Sequence, residues 1–191
     1  MDCKSGCINC NDDPVHAWDE YVAFYAGSLE GPSGSDSGKL VYRLAEKRCK
    51  NFGTCTGAGG KSAVNTDIVA QSTLGKLALT GGRCVEVIPI KRRIVALMSV
   101  PLVQGALRYA YKVNKLAGGS KEIAEGAAFS AAILPLVAQC SASAAKLISD
   151  NMKIDATSPM KSGFVEWLIW GVFFTLWSLS ERTGNWIFDV S

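Results

Sequence analysis

The sequence predicts an all-α protein, an antiparallel helical bundle with one long kinked helix and one central apolar helix. Three observations carry that expectation. Apolar residues recur at spacings of three and four, turn formers punctuate those runs, and no stretch alternates strongly enough to build a sheet. At 191 residues, 48% apolar and 19% charged, the chain is long enough for a packed core and too apolar for disorder.

The expected organisation is a Cys-rich segment over 1–11, a helical domain over 12–156 and an apolar, Trp-rich tail over 157–191. The first helix starts where Asp13 can cap and Pro14 fits the first helical position, and its pattern runs to Gly31. Val15, Trp18, Val22, Tyr25 and Leu29 form one apolar stripe, expected as its core face. The turn formers of "GPSGSDSG" make a loop, and a second helix follows from about Lys39 to Asn51, with Leu40, Val41, Leu44, Ala45 and Phe52 inward. "GTCTGAGGKS" lacks the glycine spacing of a phosphate loop and has no apolar strand before it. A third helix spans about Ser62 to Thr80 and ends at Gly81 and Gly82. "CVEVIPI" reads as a short extended piece. A long helix from Lys91 to Leu116 should kink at Pro101, where the ring removes a hydrogen bond and crowds the preceding turn. Ser120 caps a helix containing "GAAFSAAILPLVA", apolar almost all round, as a central buried helix is. It is short and broken by Pro135, which argues against a membrane span. "SASAAKLISDNMKI" completes the set.

The tail differs in character. It holds four of the five tryptophans, and its apolar run from Phe164 to Leu179 is interrupted only by Glu166 and small or polar residues. Two readings fit: membrane contact through residues 164–179, marginal in length for a span, or an artefact of the gene model.

A net charge of +3, with Lys91, Arg92 and Arg93 as the only tight basic cluster, argues against nucleic acid as a partner. Seven cysteines leave at least one thiol free or paired between chains. In an oxidising compartment "CKNFGTC" is the easiest disulfide to form, because Gly53 after a helix end can fold Cys55 back toward Cys49. For "CKSGCINC" the alternative is zinc, three thiolates and His16 filling a tetrahedral shell. No secretory signal follows Met1, so the cysteines point outside the cell and the first residues do not.

The chemistry-bearing residues gather on the first helix. The sole histidine, His16, shares a second stripe with Glu20, Ala23, Gly27 and Glu30. His16 and Glu20 stand one turn apart and can hold a metal together, with Asp19 to one side. The helix dipole disfavours the imidazolium there and leaves a neutral nitrogen as donor. Nitrogen with carboxylates suits iron, manganese or zinc, and hard carboxylates suit ferric iron in particular. The plainer alternative is a solvated pair on a helix face. Ala23 and Gly27 invite another backbone or a partner to that face. Glu46, among Lys47, Arg48 and Lys50, suits an ion pair on a wet surface before ligation. Glu125 opens the most apolar helix and needs a partner: a metal, Arg108, or a capping role in the first turn. Gln104, Arg108 and Tyr111 share a face that suits a structural polar network. Neither Gly-x-Ser-x-Gly nor His-Glu-x-x-His occurs, so no enzyme is expected.

Taken together, "HAWDEYVAFYAGSLEG", "LAEKRCKNFGTC", "MSVPLVQGALRYAYK" and "AEGAAFSAAILPLVAQCSASAAKLISDNMKI" resemble the low-iron-inducible periplasmic protein family of algae, and more distantly imelysin-like helical proteins. The four blocks stand in the family's order and cover about residues 12 to 156. The resemblance implies a secreted or periplasmic, non-enzymatic protein that binds iron, Fe2+ or Fe3+, and assists its assimilation. A cell-surface iron transporter or reductase is then the implied partner. It places His16, Asp19, Glu20 and Glu30 in the first block, Glu46 in the second and Glu125 in the last as metal candidates, and it implies a Cys49–Cys55 disulfide. The tail after about residue 157 departs from the family pattern. The alternative function is a helical interaction or structural domain of the cell exterior, anchored to a membrane by its C-terminal segment.

Overall fold

The computed structural model describes residues 14–30, 36–156, 163–165 and 167–168. The Cys-rich segment with its zinc alternative, and the apolar run beyond Leu168, lie outside the described residues. Every regular element among the described residues is helical: α1 Pro14–Ala26, α2 Val41–Phe52, α3 Ala63–Thr80, α4 Cys84–Lys115, α5 Ser120–Cys140 and α6 Ala142–Met152, with a single 3-10 turn at Ala58–Gly60. The expected all-α bundle is what forms.

The chain divides into two compact units, one ending at Pro101 and the other beginning at Leu102. Where the sequence suggested one helical domain over 12–156, two cores form. The division falls inside α4, at the proline expected to interrupt it.

In the first unit, side-chain pairs set the directions. Trp18 of α1 meets Ser72 of α3 while Tyr25, two turns on, meets Asn65, so the two helices run antiparallel. Arg93 of α4 grips Asp67 of α3 at 2.7 Å, and the Arg83 N–H donates to the Ala78 carbonyl across the turn, so α4 runs back along α3. Tyr25, Tyr42, Ile68, Ile94 and Leu97 form the core, with Trp18 and Tyr21 packed against it.

Helix α1 ends at Ala26, earlier than its pattern suggested. Gly27 takes a left-handed backbone (φ 74°) and its N–H caps the Ala23 carbonyl, so Leu29 falls beyond the helix and is 53% exposed. Helix α2 likewise ends at left-handed Gly53 (φ 69°), which turns the chain so that Cys55 returns to Cys49 with Cα atoms 4.9 Å apart and a disulfide closed between them. "CVEVIPI" is helical, against expectation. Its β-branched residues gave a strand-like pattern, but the Glu86 N–H donates to the Arg83 carbonyl, and their side chains pair at 3.1 Å in the first turn of α4.

In the second unit, Lys112 and Glu122 approach at the α4–α5 turn, and Tyr109 stacks on Phe129. Ser141 alone links α5 to α6, its hydroxyl accepting from the Ala144 N–H, and Met152 returns to the level of Gly126. The three helices are therefore antiparallel neighbours. Val103, Ala106, Ala110, Ile133, Val137, Ala145, Ile148 and Met152 make the core, joined by Phe164, Val165 and Leu168. The described start of the apolar tail thus packs on protein. Helix α5 buries one face, Gly126, Ser130, Ile133 and Val137, and exposes Ala128, Ala131 and Ala132; its alanines had made it look apolar all round. At 21 residues it is longer than its apolar run suggested. Both α4 and α5 are long and apolar enough to cross a membrane.

Candidate functional site

Helix α1 presents its candidate ligands at three separate places. Near its start, His16 Nε2 lies 3.4 Å from Glu20 Oε1, one helical turn apart, with both side chains open to solvent. Asp19 turns the other way and takes the Lys76 ammonium of α3 at 2.8 Å. Glu30, beyond the helix end, accepts a hydrogen bond from the Gly38 N–H. At about 1.5 Å rise per residue, His16 and the end of the helix are about 15 Å apart, so Glu30 shares no ion with the His16–Glu20 pair. Only His16, Glu20 and Ala23 of the predicted stripe lie within the helix; Gly27 turns the chain and Glu30 falls beyond it.

Glu46 is corrected outright. Far from a wet surface, it is 4% exposed. Its Oε1 accepts from the Ser62 N–H at 3.1 Å and from Asn65 Nδ2 at 2.7 Å. The same Asn65 amide donates to the Tyr42 carbonyl and accepts from the Tyr25 hydroxyl. Each polar group of the Asn65 side chain is thereby satisfied, which is what its burial demands. Glu46 ties α2 to α3 in this network. The sequence hid it because three basic neighbours suggested solvent, while helical geometry turned Glu46 to the side of Tyr42, Ala45 and Cys49.

Glu125 lies in the second unit, half-buried, with no hydrogen-bond or ion-pair partner among the described residues; the salt bridge at that helix start belongs to Glu122 and Lys112. Gln104 and Arg108 are half-buried and Tyr111 is exposed. Among the described residues no three His, Cys, Asp or Glu side chains converge as a metal cluster. Cys84 is disulfide-bonded to a partner outside the described residues, and Cys140 is a free thiol.

A cleft of about 440 Å3, which no motif in the sequence announces, lies between α1, α2 and α3. Trp18, Val22, Tyr25, Tyr42, Ile68 and Val69 supply its apolar and aromatic wall, and Asp19, Glu30 and Lys76 its charged groups. The phenols around it resist ionisation. Burial pushes Tyr25 far above its ordinary value, with Tyr21, Tyr42 and Glu46 adding to the effect. Tyr42 is raised by burial first, then by the negative charges of Glu46, Glu30 and Asp36. Tyr21 is raised by burial, partly offset by its hydrogen bond with Ser72.

In comparisons with known proteins the chain matches no family model, no curated protein and no solved structure at significance.

Proposed function

We propose that this chain is a non-enzymatic iron-binding protein of the cell exterior or periplasm that assists iron assimilation, with iron as its cargo. The observation that carries the reading is the His16–Glu20 pair, a nitrogen and a carboxylate 3.4 Å apart on an accessible face at the start of α1. The resemblance of four blocks to the low-iron-inducible periplasmic family supports the choice of iron, and the Cys49–Cys55 disulfide fits an oxidising compartment. His16 and Glu20 are the first donors, and the remaining positions on the ion are left to water or to a receiving transporter or reductase. Asp19 is held by Lys76 and joins only if that ion pair opens.

The test is titration of the oxidised full chain with ferric and ferrous iron, beside a His16→Ala/Glu20→Ala variant of matched helicity. The expected result is about one equivalent bound by the wild type and none by the variant. Equal binding by both, or binding by neither, sinks the proposal. A second reading, an interaction domain of the cell exterior, is favoured by one observation: Phe24 on α1 is 80% exposed and Val85 at the start of α4 equally so.

A further inference from the structure

The cleft between α1, α2 and α3 stands apart from the His16–Glu20 pair, and its chemistry is different. Its volume, about 440 Å3, lies in the range of small-molecule sites. What matters is which polar groups remain for a guest. Three hydroxyls on its wall are engaged within the protein: Tyr25 donates to Asn65, Ser72 to the Ile68 carbonyl and Thr73 to the Val69 carbonyl, whereas the Tyr42 hydroxyl has no hydrogen-bond partner among the described residues. Lys76, the one cation among the described lining residues, is taken up by Asp19. Among the described lining residues the Tyr42 hydroxyl is the main donor left for a guest, too little to hold anions, sugars or carboxylic acids.

It does offer aromatic surface and negative charge. Trp18, Tyr25 and Tyr42 line it; the Tyr21 ring stands edge-on to Trp18 with centroids 5.3 Å apart, and the Tyr25 ring edge-on to Tyr42 at 6.0 Å. Glu30 accepts one hydrogen bond from Gly38 and has no cation beside it among the described residues. After burial itself, Glu46, Glu30 and Asp36 raise the cost of ionising Tyr42, although Asp36 is paired with Arg43 at 2.9 Å; Glu30 is the carboxylate in the lining close to that phenol. Ring faces with an uncompensated carboxylate are the features that hold an organic cation. Ala23, Ala26 and Gly27 on the α1 side leave the room for it.

We propose that this cleft binds a small organic cation with an apolar body, a quaternary or protonated amine carried on a ring or branched chain. The charge sits toward Glu30, and the body lies against Trp18, Tyr42 and Ile68. The reading does not depend on iron at His16.

The probe is benzyltrimethylammonium, titrated calorimetrically into the oxidised full chain, with the uncharged isostere neopentylbenzene compared by ligand-observed NMR. Saturable binding of the cation is expected, weakening as salt rises, with at least about tenfold preference over the isostere. Glu30→Gln should lose about tenfold in affinity at unchanged helicity, and Ala23→Phe, which fills the cleft, should abolish binding. Gly38→Ala gives an independent check, since its Cβ would fall 2.1 Å from Glu30 Cγ and drive the carboxylate from its place. Absence of saturable binding overturns the proposal. So does equal binding of the isostere, a comparison made on the unaltered protein and untouched by any variant's folding, or full affinity in a folded Glu30→Gln.

Discussion

Replacing Glu46 by alanine separates a structural carboxylate from a ligand. In the native protein its Oε1 receives the Ser62 N–H and one Asn65 amide hydrogen, and both donors are 1% exposed. Alanine strands both. Each buried donor left without a partner costs about 1–3 kcal/mol, so the loss is at least about 2 kcal/mol and up to about 6 kcal/mol before any relaxation. For a chain of this length that lowers Tm by at least about 4 °C. Glu46→Gln retains an acceptor oxygen in the same place and should cost about 1 kcal/mol or less. Urea unfolding followed by far-ultraviolet circular dichroism measures both. An alanine variant within about 0.5 kcal/mol of wild type would refute the sealed-network reasoning. Iron binding lost in Glu46→Gln at unchanged stability would return Glu46 to the ligands.

Gly75→Ala should destabilise the first unit: its Cβ would lie 2.1 Å from the Trp18 indole, an overpacking cost of about 1–3 kcal/mol against a helix-propensity gain of up to about 1 kcal/mol, read from the urea midpoint and near-ultraviolet dichroism. Removing the Cys49–Cys55 bridge by double replacement with serine opens a loop with a sequence separation of 6 and should cost about 2 kcal/mol, measured by thermal unfolding without reductant. Tyr21, Tyr25 and Tyr42 all hold their protons more tightly in the fold than in the unfolded chain. Their contribution is fully present below the usual phenol value of about 10 and is lost as pH rises beyond it, so phenolate absorbance and unfolding should appear together in an alkaline titration.

Period and punctuation made most of the fold legible. Pro14, Gly53 and Gly81 fall where the chain starts or turns its helices, Pro101 stands inside an unbroken α4 at the boundary of the two units, and Trp18 and Tyr25 lie on the core side as their spacing required. Two kinds of information were missing. A β-branched run such as Val85–Ile90 has the same local preference in a strand as in a helix that tertiary contacts enforce, so its state depended on the turn before it. Charge neighbours along the chain said nothing about facing: Glu46 sits among cations in sequence and among Ser62, Asn65 and Tyr42 in space. The same blindness hid Lys76, whose pairing with Asp19 depends on α3 packing beside α1.

That Lys76–Asp19 pair also decides how the charges of α1 are shared. Both side chains are about half exposed, so the pair contributes at most about 1 kcal/mol to stability. Its larger effect is on chemistry. By neutralising Asp19 it leaves one open carboxylate near each end of the helix, Glu20 beside His16 and Glu30 beside the cleft, too far apart to act on one ion. A ferric ion at His16 would then meet one nitrogen and one carboxylate from the described residues, with several positions still open. If the proposed iron binding holds, so incomplete a shell would hold the ion loosely and exchange it readily, which would suit a protein that passes its cargo on better than one that stores it.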